Sequence, residues 1–158
     1  MSSTHRQLIS TLINNDKASL AQLKLTLQQE CEALKTRNHS ELPPLIEEKN
    51  RLLSELDRSS QQRASMLKAS NLPTTKESWE QLLRDMTDSE TQAEWTWIQD
   101  ELKACHTMNQ VNGKLITRSR NTLGHLVNLL KGQVASPELY NQAGVKRSNS
   151  HTHTMIKA

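Results

Sequence analysis

The chain has 158 residues but no Phe, only four Gly, four Pro and two Cys, and ten Ile plus Val against 23 Leu. So few glycines leave little material for tight hairpins, and so few β-branched side chains leave little for strands. A sandwich, a barrel and a glycine-loop nucleotide fold are thereby excluded. No stretch approaches the roughly 18 uninterrupted apolar residues that a spanning helix needs. The first residues lead into a broken apolar pattern, not the apolar block of roughly 7 to 15 residues found in a secretion signal. The expectation is a cytoplasmic chain with no direct membrane insertion. Cys31 and Cys105 stand alone, without a CxxC pair, so they read as small apolar residues and not as a disulfide.

What is abundant favours helix. Leucine loses little rotamer freedom in a helix, and few residues break the pattern. An apolar content of 34% and a mean hydropathy of -0.72 suit long helices that each bury one stripe, hence an all-α, elongated antiparallel hairpin or bundle. Charge is uneven. Residues 1–103 hold 13 Lys/Arg and 16 Asp/Glu, a net of -3, whereas residues 104–158 hold seven Lys/Arg and Glu138 alone, a net of +6. A basic third can steer an acidic partner. Tyr140 is the only aromatic after Trp97, so the stacking platforms of a single-strand binder are missing and no nucleic acid is expected.

Leu8, Leu12, Leu20, Leu23, Leu27, Cys31 and Leu34 repeat at helical spacing from Thr4 to about Lys35, with Asp16 as one polar intruder. Pro43 and Pro44 suit the first turn of a second helix beginning near Leu42. It runs through Leu45, Ile46, Lys49, Leu52, Leu53 and Leu56 to Met66 and Leu67, with Glu47 and Arg51 as an exposed pair, and ends at Asn71-Leu72-Pro73. Thr74 to Glu77 fits a capping box opening a short third helix with Trp79, Leu82, Leu83 and Met86. A second box, Ser89 to Gln92, opens the longest helix, free of proline to Lys131. Its stripe runs through Ile98, Leu102, Cys105, Asn109, Asn112 and Leu115 or Ile116, then Leu123, Leu126, Val127 and Leu130. Gly113 is its main point for a bend. Ser136-Pro137-Glu138 could cap one more turn carrying Leu139 and Tyr140. The division expected is a helical domain over residues 1–135 and a flexible, basic C-terminal segment over 136–158.

No elbow, HExxH, phosphate loop or EF-hand occurs, so no catalytic residue, cofactor or metal is assigned and an enzyme is not expected. His151 and His153 read as solvated tail residues. Trp79, Trp95 and Trp97 read as core anchors near the junction of the short and long helices. Asn109 and Asn112 fall on the expected buried stripe one turn apart, where an amide must be hydrogen bonded, and read as a polar pair that fixes helix register.

A first helix of about 32 residues spans roughly 48 Å and a fourth of about 42 residues roughly 63 Å. If they run side by side, close to three turns of the longer one project beyond cover. Leu123, Leu126, Val127 and Leu130 share a face there, which reads as a recognition surface for another amphipathic helix, with Arg118, Arg120 and Lys131 steering an acidic partner.

The Leu-rich first helix, the segment Leu45 to Leu53, Asn109-x-x-Asn112 in the long helix and Leu139-Tyr140-x-x-x-Gly144 resemble, in order and spacing, the FlgN family of flagellar type III export chaperones. The resemblance implies a non-enzymatic cytoplasmic chaperone. It would bind C-terminal helices of hook-filament junction proteins, prevent their premature assembly and deliver them to the export gate. It also implies that Tyr140 docks on the cytoplasmic domain of the gate's membrane protein, although Asn141-Gln142 follow where the family often has an acidic residue or glycine. The competing reading is a coiled-coil or homo-oligomeric scaffold, so the chain is expected to be a monomer or homodimer.

Overall fold

The computed structural model describes residues 3–130, 139–140 and 146–147; beyond residue 118 it describes the side chains of Asn121 and Asn128 alone. Helix α1 spans Ser3–Lys35, a single 3-10 turn His39–Glu41, α2 Leu42–Ala69, α3 Lys76–Met86 and α4 Ser89–Leu130. The all-α expectation holds. Each element arises where apolar spacing, caps and breakers agree.

Pro43 and Pro44 occupy the first turn of α2, where a missing N–H costs nothing. Asn71, at φ 56°, closes α2 with the left-handed residue of a Schellman motif: Leu72 N–H donates to Leu67 O at 2.9 Å and Asn71 N–H to Lys68 O at 3.0 Å. Helix α1 ends the same way on Arg37 at φ 55°, with Asn38 N–H donating to Ala33 O at 2.9 Å. Both expected capping boxes shift by one residue. Thr75 caps α3, its hydroxyl accepting Ser78 N–H at 3.2 Å and donating to Ser78 Oγ at 3.0 Å. Asp88 caps α4, its carboxylate accepting Thr91 N–H at 2.9 Å. Thr75 has the extended backbone of a residue just outside the first helical turn.

The chain divides into two compact units, Met1–Asn112 and Gly113–Ala158. In the first, Ile9, Leu12, Ile13, Leu20, Leu23 and Leu27 of α1 meet Leu52, Met66 and Leu67 of α2, Trp79, Leu82 and Leu83 of α3, and Ile98 and Cys105 of α4. Burying each large side chain contributes about 1.5–3 kcal/mol. Asp16 against Arg63 and Glu30 against Lys49 lie two heptads apart on both helices, so α1 and α2 run antiparallel. Lys17 pairs with Glu94 at 2.6 Å and Lys24 with Glu101 at 3.2 Å, so α1 and α4 run parallel. Helix α2 is antiparallel to both.

Several side chains depart from the expected stripes. Leu8 is exposed and its neighbour Ile9 is fully buried, because the core face of α1 starts one residue later. Cys31 and Leu34 are only half-buried, whereas Thr26 and Glu30 are buried. Ile46 and Leu53 lie outside the inward face of α2. Arg51 pairs with Glu48 at 2.7 Å and Glu55 at 2.6 Å and not with Glu47.

In the second unit, α4 continues through Gly113 to Leu130, and a Cβ at Gly113 would meet nothing within 4 Å. The expected helical turn at Leu139 and Tyr140 is instead a strand, β1, Leu139–Tyr140, paired antiparallel with β2, Lys146–Arg147, so that Tyr140 faces Lys146. The rest of the segment read as flexible lies outside the described residues.

Candidate functional site

Asn112 is 1% exposed, and its Nδ2 donates to Leu27 O at 3.0 Å and Glu30 Oε2 at 2.8 Å. Glu30 is also 1% exposed and accepts Lys49 Nζ at 2.8 Å through its other oxygen. Lys49 Nζ donates further to Asn109 Oδ1 at 3.2 Å. Asn109 therefore shares a network with Asn112, but it is exposed and not on the buried stripe. One turn separates them, and the drift of a 3.6-residue helix carries Asn109 toward α2 while Asn112 points at α1. The buried carboxylate between them escaped the sequence reading. Its signal was Glu30 on the inward face beside Leu27, facing a lysine on the inward face of α2.

Fourteen residues back along α1 sits a second polar contact. Asp16 is paired with Arg63, whose guanidinium also donates to Ser59 Oγ at 3.0 Å. Arg63 Cζ lies 5.2 Å from the Trp95 ring centroid and 6.0 Å from that of Trp79, and the two indoles meet edge to face at 5.9 Å. Trp79 is a core residue and Trp95 packs against the core. Trp97, expected as a third anchor, is 39% exposed. Leu102 is likewise 50% exposed, because Ile98 and Cys105 take the inward positions on either side of it.

Cys105 is buried, and desolvation, with the Glu101 carboxylate nearby, pushes its thiol up against a smaller opposing effect of Lys24. It is thus an inert apolar filler at neutral pH. His106 next to it is exposed, so the two do not converge. Among the described residues no group of His, Cys, Asp and Glu side chains could hold a metal ion. No helix there is long and apolar enough to cross a membrane.

Leu123, Leu126, Val127 and Leu130 lie in the helical backbone of α4, at spacings that put them on one face. Their side chains, like that of Tyr140, lie outside the described residues.

Helices α1, α2 and α4, held in register within Met1–Asn112 by buried polar contacts, define an all-α helical-bundle protein. The FlgN protein family model matches residues 1–148, and the chain belongs to that family. No curated protein and no solved structure matches it. Membership makes the chain a flagellar export chaperone.

Proposed function

We propose that this chaperone acts in the cytoplasm by helix capture. It covers the C-terminal helices of hook-filament junction proteins, keeps them from assembling early and delivers them to the type III export gate, without catalysis of its own. The observation that supports this is the unbroken helix from Ser89 to Leu130. It keeps Leu123, Leu126, Val127 and Leu130 at the spacing with which one amphipathic helix grips another. Within the first unit, the bonds of Asn112 to Leu27 and Glu30, with Asn109 on Lys49, hold α4 in register against α1 and α2.

Tyr140 is proposed as the contact to the cytoplasmic domain of the gate's membrane protein. A tyrosine suits that role, since its ring buries large area at small entropic cost and its hydroxyl keeps a polar partner. Its ladder partner Lys146 puts a cation in the adjacent strand.

Titration of a junction-protein C-terminal peptide tests the capture face. Leu126→Asp should weaken binding by about 2–4 kcal/mol, because a charge would be desolvated at an anchor. Wild-type affinity in that variant would refute the assignment. Tyr140→Ala should weaken gate binding and leave peptide affinity unchanged; unchanged gate binding would remove Tyr140 from the mechanism.

A further inference from the structure

Residues of α2, α3 and α4 in the first unit line a cavity of about 250 Å³ whose chemistry is one-sided. Arg63 and Lys76 bring two cations to it, Ser60, Thr74 and Thr75 bring hydroxyls, and no acidic residue lines it. Arg63 donates from Nη1 to Asp16 and Ser59, which leaves its Nε and Nη2 for a further acceptor. Lys76 is held loosely, 3.7 Å from Glu80 Oε1, and that oxygen also accepts Gln99 Nε2 at 3.0 Å. Thr75 caps α3, so the positive end of this 11-residue helix opens on the same cavity. Trp79 lines it too. That residue is 3% exposed, and its Nε1–H is buried with no acceptor among the described residues. A buried donor without an acceptor is a cost that a ligand can remove.

We propose that this cavity binds a carboxylate carried on an apolar body. One oxygen accepts the Trp79 Nε1–H, the other lies between Arg63 and Lys76, and the body packs on Ala64, Leu67 and the Trp95 ring. The lining selects this class. A cation would meet two like charges, and a neutral ligand would leave the ammonium and the helix terminus without a counter-charge. A bare inorganic anion would gain nothing from the apolar walls. The indole N–H is shut from bulk water, and the carboxylate reaches it once an exposed wall residue, Ser60 or Lys76, turns aside. A free small acid and the C-terminal carboxylate of a peptide present the same chemistry. The site uses none of the residues assigned to client capture or gate docking, and stands whether or not those assignments hold.

The indole N–H resonances of the full chain, followed by NMR, test this directly, with the Trp79 signal assigned as the one lost in Trp79→Phe. Benzoate stands for the free acid and N-acetyl-leucine for a peptide terminus, with benzamide and N-acetyl-leucinamide as their neutral counterparts. At least one acid should shift the Trp79 N–H saturably, with a Kd of roughly millimolar order for so small a ligand, and leave that of the exposed Trp97 in place. The acid that binds names the source, and a response to both assigns the carboxylate alone. Lys76→Glu changes an exposed position, and a carboxylate suits the first turn of a helix, so the fold is kept. That variant should bind at least about fivefold more weakly with unchanged helical circular dichroism. The proposal is overturned if neither acid moves the Trp79 signal, if the neutral amides move it equally, or if Lys76→Glu binds like the wild type.

Discussion

The two ends of the first unit carry the same device in different surroundings. At one end Asp16 meets Arg63, at the other Glu30 meets Lys49, and each ties α1 to α2 in one register. Both oxygens of Glu30 are used, one by Lys49 and one by Asn112, so the contact reaches α4 as well. Asp16 uses one oxygen, and its Oδ1 is buried without a hydrogen-bond partner among the described residues. Arg63, by contrast, has alternatives in Ser59 and two indole rings. The difference teaches which half of each pair is irreplaceable: the acid at the Glu30 end, neither residue at the Asp16 end. A buried charge is costly to strand and inexpensive to replace together with its partner, so the number of remaining bonds decides the loss.

The largest effect should come from Glu30→Ala, which takes the buried carboxylate from Lys49 and from the Asn112 amide at once and leaves them only Asn109 Oδ1 and Leu27 O as acceptors. A loss of about 3–5 kcal/mol is expected in urea denaturation. Asp16→Ala should lose about 1–3 kcal/mol, since Arg63 keeps a hydroxyl and ring faces. Equal losses would break the comparison. Asp16→Leu combined with Arg63→Met should return to within about 1 kcal/mol of the wild type, as apolar replacement of a whole pair often does. Asn112→Ala should cost about 1–3 kcal/mol, because it strips the second partner from Glu30. Asn109→Ala, at an exposed position, should cost no more than about 0.5 kcal/mol. A larger loss from Asn109 than from Asn112 would reverse their order in the network.

The smallest effect concerns the start of α4, and pH sharpens it. The backbone N–H of Thr91, then its hydroxyl, hold the Asp88 carboxyl below the usual aspartate range, with the Arg6 charge adding a little. A depressed folded-state pKa gives stability that is present above the unfolded value of about 3.9 and fades as pH falls through the folded one. Asp88→Ala should therefore lower the melting temperature at pH 7, with the gap narrowing in acid. A gap that widens in acid would contradict the cap.

The helices were legible in the sequence because spacing, prolines and the Asn71 stop all agree with the packed structure. Stripe membership was less so. Leu8 and Leu102 match the period as well as Ile9 and Cys105 do, and only the direction of the neighbouring helix chooses between them. The network around Asn112 was half legible: two amides at helical spacing announce a polar contact, but the acid that joins them sits 82 residues away on another helix. Arg37 in the left-handed region carries no sequence signal, whereas Asn71 does.

The most direct measurement of helix capture is hydrogen exchange along α4, with and without a junction-protein C-terminal peptide. Amides of residues 115–131 should exchange faster than those of the frame in the free chain and become strongly protected when peptide binds, while those around Cys105 stay slow throughout. Strong protection of 115–131 in the free chain, unchanged by peptide, would show that this segment already has its partners and would contradict the account.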